Sequence, residues 1–185
     1  MLSDVTAKVW GRLLCPILFA LSGLLGAAIF LAVTRAESDW VYFLPALPFG
    51  IACAFMCLRS SVLAVAASAT YCLFWAAAFY VAAYLVGKDV NQYVAMLLAG
   101  LIGGAGVAGL TSIDAPRLRT ASSFVSAGAI GAVFALPFAF YAKPPDGFPL
   151  SEETVLRVSF AIWQVAVGTY VYAIVAANRA TSSAA

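Results

Sequence analysis

The sequence predicts an all-α integral membrane protein, a single bundle of about six transmembrane helices in one domain over residues 1–185. Three observations carry that expectation. First, charged residues fall in short clusters separated by nearly uncharged runs: Leu13–Thr34, Val41–Leu58, Ser61–Gly87, Val90–Ile113, Thr120–Ala142 and Val158–Asn178. A run of roughly 18 or more apolar residues is long enough to cross a hydrocarbon core of about 30 Å as a helix. Second, 64% of residues are hydrophobic, 10% are charged and the mean hydropathy is +1.00. About a quarter of a soluble domain is charged, so these few charges would not coat a water-facing surface. Third, six spans and their connections nearly exhaust the 185 residues, and no soluble second domain is expected. The spans are placed at residues 13–34, 41–58, 61–87, 92–113, 121–142 and 155–178.

The first run follows Lys8 and Arg12, as the core of a secretory leader would. It exceeds the roughly 7–15 apolar residues of such a core, and it continues through Gly23 and Gly26 to the next charges, so it is read as a retained helix. The second run carries Pro45 and Pro48 and the fifth carries Pro137, and Ala-Leu-Pro-Phe occurs at both places, Ala46–Phe49 and Ala135–Phe138. Proline removes a backbone donor and kinks a helix, and in a bilayer the freed carbonyls must be met by neighbours or water. Ordinary proline tolerance near helix ends is the preferred reading; a vestibule opening outward between these helices is the other.

In the third run Tyr71, Trp75 and Phe79 share one face by four-residue spacing, a stripe expected to serve packing. The fourth run is the most glycine-rich, and Gly100-x-x-x-Gly104 matches the motif by which membrane helices approach closely, so this helix is expected at the centre of the bundle. Lipid offers no hydrophobic drive for helix association, and small residues must supply the contact. Gly23 with Gly26, Gly100 with Gly103, and Gly128 with Gly131 are the expected packing points, together with Gly104. The likeness of Ser22–Ala28 to Ala99–Ala105 raises an inverted three-plus-three repeat of the kind transporters use. The third glycine pair breaks that correspondence and favours convergence.

The sixth run opens with Ser151 as a helix N-cap, Glu152 and Glu153 in the first turn, and Arg157 four residues beyond Glu153 to bridge along the helix. The connection before it, Lys143–Leu150, holds three prolines and Gly147 and is expected to turn without helix. Orientation follows the side richer in Lys and Arg. One side carries Lys8, Arg12, Arg59, Arg117, Arg119 and Arg179; the other carries Arg35, Lys88, Lys143 and Arg157. Six against four places both termini in the cytoplasm of a plasma (inner) membrane. The outer connections then hold Glu37, Asp39, Asp89, Asp146, Glu152 and Glu153, while Trp10, Trp40, Tyr42, Tyr93 and Tyr141 fit the headgroup belts. The turn Asp114–Arg119 reads as a topology anchor.

The chemistry is thin. Histidine is absent, which removes the commonest general base and metal ligand. Cys15, Cys53, Cys57 and Cys72 all lie inside spans and read as small packing residues; no further Cys or His completes a metal site around Cys53 and Cys57. No Asp, Glu, Lys or Arg lies deep in a span, against a proton relay or pump. No enzyme activity, cofactor or metal is expected, and a net charge of +2 without a basic stripe gives no footing for nucleic acid. The most polar deep residue is Gln164, beside Trp163, with Thr70, Tyr71 and Trp75 at similar depth on the third span. An interhelical hydrogen bond is the plainer use of these residues. They also have the make-up of a small-ligand site. The functional expectation is a transporter or channel component for an uncharged or weakly polar small solute. The alternative is a non-catalytic structural or assembly subunit of a larger membrane complex. Expected partners are the lipid bilayer, a second membrane protein or another copy of the chain, and the solute.

Overall fold

The computed structural model describes residues 2–35, 44–58, 61–113 and 115–182, with side chains at 13–35, 44–58, 65–113 and 115–181. The expectations for Glu37, Asp39, Trp40, Val41, Tyr42, Arg59 and Asp114 lie outside those residues, and those for Lys8, Trp10 and Arg12 fall where the backbone alone is described. The chain order is α1 (Leu2–Arg35), α2 (Leu47–Cys57), α3 (Ser61–Val86), α4 (Gln92–Thr111), α5 (Ala121–Ala135), α6 (Phe138–Ala142) and α7 (Glu152–Ser182). Short 3-10 turns lie at Leu44–Ala46 and Pro116–Leu118, and no strand occurs among the described residues. Four segments are long and apolar enough to cross a membrane: Leu13–Arg35, Val65–Val86, Gln92–Thr111 and Glu152–Thr181. The other two apolar runs give the shorter pieces Leu44–Cys57 and Ala121–Ala135.

Proline accounts for both short pieces. Run 121–142, read as one span with a kink at Pro137, is divided at Leu136–Pro137 into two helices. Pro137 has no N–H to return to Val133; Leu136 N donates to Val133 O at 3.3 Å, a tighter turn, and α6 restarts at Phe138. Run 41–58 is helical over Leu47–Cys57, after the 3-10 turn containing Pro45, with Pro48 in the first turn where a missing donor costs nothing. Elsewhere the ends form as their residues dictate. Asn91 accepts from Tyr93 N, Thr120 accepts from Ser123 N, and Ser151 accepts from Thr154 N at the start of α7. Between α3 and α4, Asp89 takes the left-handed conformation (φ 59°), and in the loop before α7 Gly147 does so (φ 73°), closing a turn in which Phe148 N donates to Pro145 O.

The helices form a ring. α1 packs on α2, α2 on α3, α3 on α4, α4 on α5, α5 on α7, and α7 closes back on α1. Arg157 donates to Glu153 as their spacing predicts, and Arg35 reaches the same carboxylate at 3.8 Å, tying the end of α1 to the start of α7. At the opposite end Arg179 donates to Cys57 O at 2.9 Å, and Arg119 donates to Ser112 O and Ile113 O at 3.0 and 2.9 Å. Two arginines therefore meet the open carbonyls at the C-termini of α2 and α4, where a cation is favoured. Outward, the ring presents large apolar side chains, among them Leu21, Phe55, Leu73, Leu98 and Val125. α4 is one wall of this ring and not its centre, with Val94, Leu98 and Leu101 exposed on its outer side.

The small residues lie at the closest approaches. A Cβ on Gly100 would overlap the Gly131 carbonyl, and one on Gly104 would overlap the Ala127 carbonyl, so α4 and α5 meet backbone to backbone. A Cβ on Gly23 would lie 2.6 Å from Ala161 Cα, and one on Gly26 would lie 2.5 Å from Pro45 O, which brings α1 against α7 and the start of α2. Gly103 faces the Trp163 ring, while Gly128 has ordinary contact distance to Leu101 at 3.4 Å. The glycines therefore differ in what substitution should cost. Gly100→Leu and Gly104→Leu should each lower the melting temperature in detergent, since overpacking costs about 1–3 kcal/mol. Gly128→Ala should be neutral or stabilising by up to ~1 kcal/mol, the helix-propensity difference. Equal losses at all three positions would contradict the α4–α5 contact.

Candidate functional site

One half of the ring is hollow and the other is filled. Toward the α1–α2 ends nearest Cys57 and Cys15, the interior is occupied by Cys15, Phe19, Cys53, Cys57, Val167, Val171 and Val175, all essentially buried. Toward the opposite end lies a cavity of about 250 Å³. Its walls on α3 and α4 are small, Ala78, Ala82, Ala83, Ala99, Gly100 and Gly103, and that is why space remains there. It runs from Tyr71, Trp163 and Gln164 up to Val86, Met96 and Ala142. Gln164 lies 11 residues after Glu153, roughly 16 Å down α7.

Aromatic rings supply most of the remaining lining. Phe160, one turn before Gln164 on α7, is the hub: its centroid lies 4.8 Å from Trp75, 5.2 Å from Phe138 and 6.0 Å from Phe30. Those partners come from α3, α6 and α1, so a single side chain joins four helices through tilted and edge-on contacts. Phe138 is placed there by the break at Pro137, which starts a new helix and turns Phe138 and Tyr141 toward the interior. Phe49 forms the floor, with its centroid 5.6 Å from Trp163 and Phe19 and 6.1 Å from Tyr71.

The polar groups at the floor are engaged with the protein. Tyr71 Oη lies 2.7 Å from Thr111 Oγ1, which donates to Val107 O at 2.8 Å; the tyrosine is then the donor in the first bond. Trp163 Nε1 donates to Gly131 O at 3.0 Å, and Gly103 leaves room for the indole between α4 and α5. Gln164 Oε1 accepts from Ser22 Oγ at 2.6 Å, while the same hydroxyl lies 2.8 Å from Phe19 O. One hydroxyl hydrogen serves one acceptor at a time, so Ser22 has a local alternative and Gln164 Oε1 depends on Ser22. Among the described residues no charged side chain lines the cavity.

Of the residues expected to share a site, Gln164, Trp163, Tyr71 and Trp75 are brought together in this lining, and Phe79 of the same α3 stripe joins them. Thr70 is not among them: its hydroxyl donates to Ala66 O within α3. Sequence reasoning missed Ser22, Thr111, Phe30 and Phe160, and weighed Phe138 only as part of an outward vestibule. Phe160 carried a signal, its four-residue offset from Gln164; the Ser22 and Thr111 partnerships cross the ring and carried none. The four cysteines are free thiols buried among apolar neighbours, and no group of three or more His, Cys, Asp or Glu positioned for a metal occurs among the described residues. The chain matches no protein-family model, no curated protein and no solved structure.

The asymmetry between Ser22 and Gln164 gives a test. Gln164→Leu keeps the volume and lets Ser22 bond Phe19 O, so it should cost no more than ~1 kcal/mol. Ser22→Ala strands the buried Gln164 carbonyl and should cost more, about 1–3 kcal/mol. Denaturation in mild detergent should rank the two in that order; the reverse ranking would mean that Gln164 holds α1 by other means.

Proposed function

We propose that the chain is a six-span protein of the plasma (inner) membrane, both termini cytoplasmic, that takes a small uncharged or weakly polar solute into this cavity in the course of transport. Six spans follow if the two proline-broken runs cross with the four long ones. Residues 121–142 cover about 33 Å at helical rise, enough for the hydrocarbon core. The shorter Leu44–Cys57 piece begins beside Pro45, whose carbonyl faces Gly26 on α1, so its outer end is covered by protein. Irregular backbone at membrane depth is tolerated where protein buries it. The single observation that carries the functional reading is a cavity between the helices reaching the depth of Gln164 in a bundle whose other half is solid. The largely apolar lining, without a charged side chain among the described residues, supports an uncharged cargo.

Two measurements test this. A Cys introduced at Gly147 should react with an impermeant maleimide from outside intact cells, and one at Ser182 should not; the native thiols at Cys15, Cys53, Cys57 and Cys72 are buried and should contribute little background. Opposite labelling overturns the orientation. Native mass spectrometry of protein purified in mild detergent should show one small uncharged molecule retained. A stoichiometric partner polypeptide with no small molecule would decide for the subunit reading.

A further inference from the structure

We infer that the cavity selects a hydrocarbon-rich molecule of roughly ten carbons, in place of a polar solute; this rests on the cavity being a binding site, as proposed above. The size follows by comparison: an engineered apolar cavity of about 150 Å³ stays dry and accepts benzene, so about 250 Å³ accommodates roughly ten carbons. The chemistry follows from the walls. Tyr71, Trp163 and the Gln164 carbonyl already bond within the protein, to Thr111, Gly131 and Ser22. A sugar, polyol or amide entering the cavity would leave water behind and find, beyond these groups, only the amino edge of Gln164, the Trp75 indole and the Tyr141 hydroxyl among the side chains of an otherwise apolar wall. The rings of Phe160, Trp75 and Phe138 instead offer faces and edges to carbon. The same chemistry belongs to a free small molecule dissolved in the bilayer and to the end of a lipid acyl chain, and the two are separable by experiment.

The full chain in lipid nanodiscs would be irradiated with one of three probes: a phenyl trifluoromethyl diazirine, a diazirine-bearing diol of similar size, or a phosphatidylcholine with a diazirine at the end of one acyl chain. Labelled residues would be mapped by mass spectrometry. The expected result is labelling at Trp75, Phe138 and Phe160 by the phenyl probe, lost in the presence of naphthalene, while labelling at the outward-facing Phe55 and Tyr84 is unchanged. Labelling of the interior positions by the lipid probe alone would assign the same chemistry to an acyl chain. Labelling there by the diol, undisturbed by naphthalene, would overturn the ligand class and leave the cavity as a site. Absence of interior labelling by all three would overturn both. Ala78→Trp, which fills the space from α3, should abolish interior labelling; the naphthalene competition on the unaltered chain decides the matter if that variant does not fold.

Discussion

In lipid, two apolar helices gain nothing by leaving their surroundings for one another, so association depends on close backbone approach and on hydrogen bonds that lipid cannot offer. The ring is closed by both means. On one side α4 and α5 touch through Gly100, Gly104, Ala127 and Gly131. On the other, Gly23 lets α1 settle against Ala161 of α7, and Ser22 reaches across to Gln164. Trp163 links the two seams, extending from α7 past Gly103 to the Gly131 carbonyl. Each seam uses side chains too small to fill an interior, and bulk must come from elsewhere.

Where bulk is supplied, the ring is solid; where it is not, the cavity appears. Below Phe49 the valines of α7 and the cysteines of α1 and α2 occupy the centre. Above it, α3 and α4 contribute alanine and glycine, and the aromatic cluster around Phe160 bridges the space without filling it. The prolines take part directly. The break at Pro137 lets Phe138 meet Phe160, and the late start of α2 brings Ala46 and Phe49 into the lining. One arrangement thus makes the described lining of the cavity largely apolar.

The four long apolar helices and part of the cavity wall were legible in the sequence because both follow from local pattern. Run length and hydropathy mark the four long helices, the Tyr71–Trp75–Phe79 spacing marks one face of α3, and Ser151 with Glu152 marks the start of α7. The depth of Gln164 follows from helical rise alone. What could not be read is which distant residues meet. Ser22 is 142 positions from Gln164 and Tyr71 is 40 from Thr111, and nothing in either neighbourhood names the other. The glycine abundance of α4 pointed to a central helix, but glycine content reports contact on one face and does not count how many faces are buried. Thr70 shares the depth of Tyr71 but lies on another side of α3, where its hydroxyl turns back to Ala66.

The central claim is that one half of this ring holds an apolar cavity and the other half is filled. Xenon binds such spaces and avoids polar, water-filled ones, so diffraction from xenon-pressurised crystals tests it directly. The account predicts a xenon site bounded by Trp75, Phe138 and Phe160 and none between Cys53 and Val171. Ordered water in the upper space, or xenon confined to the lower half, would contradict it.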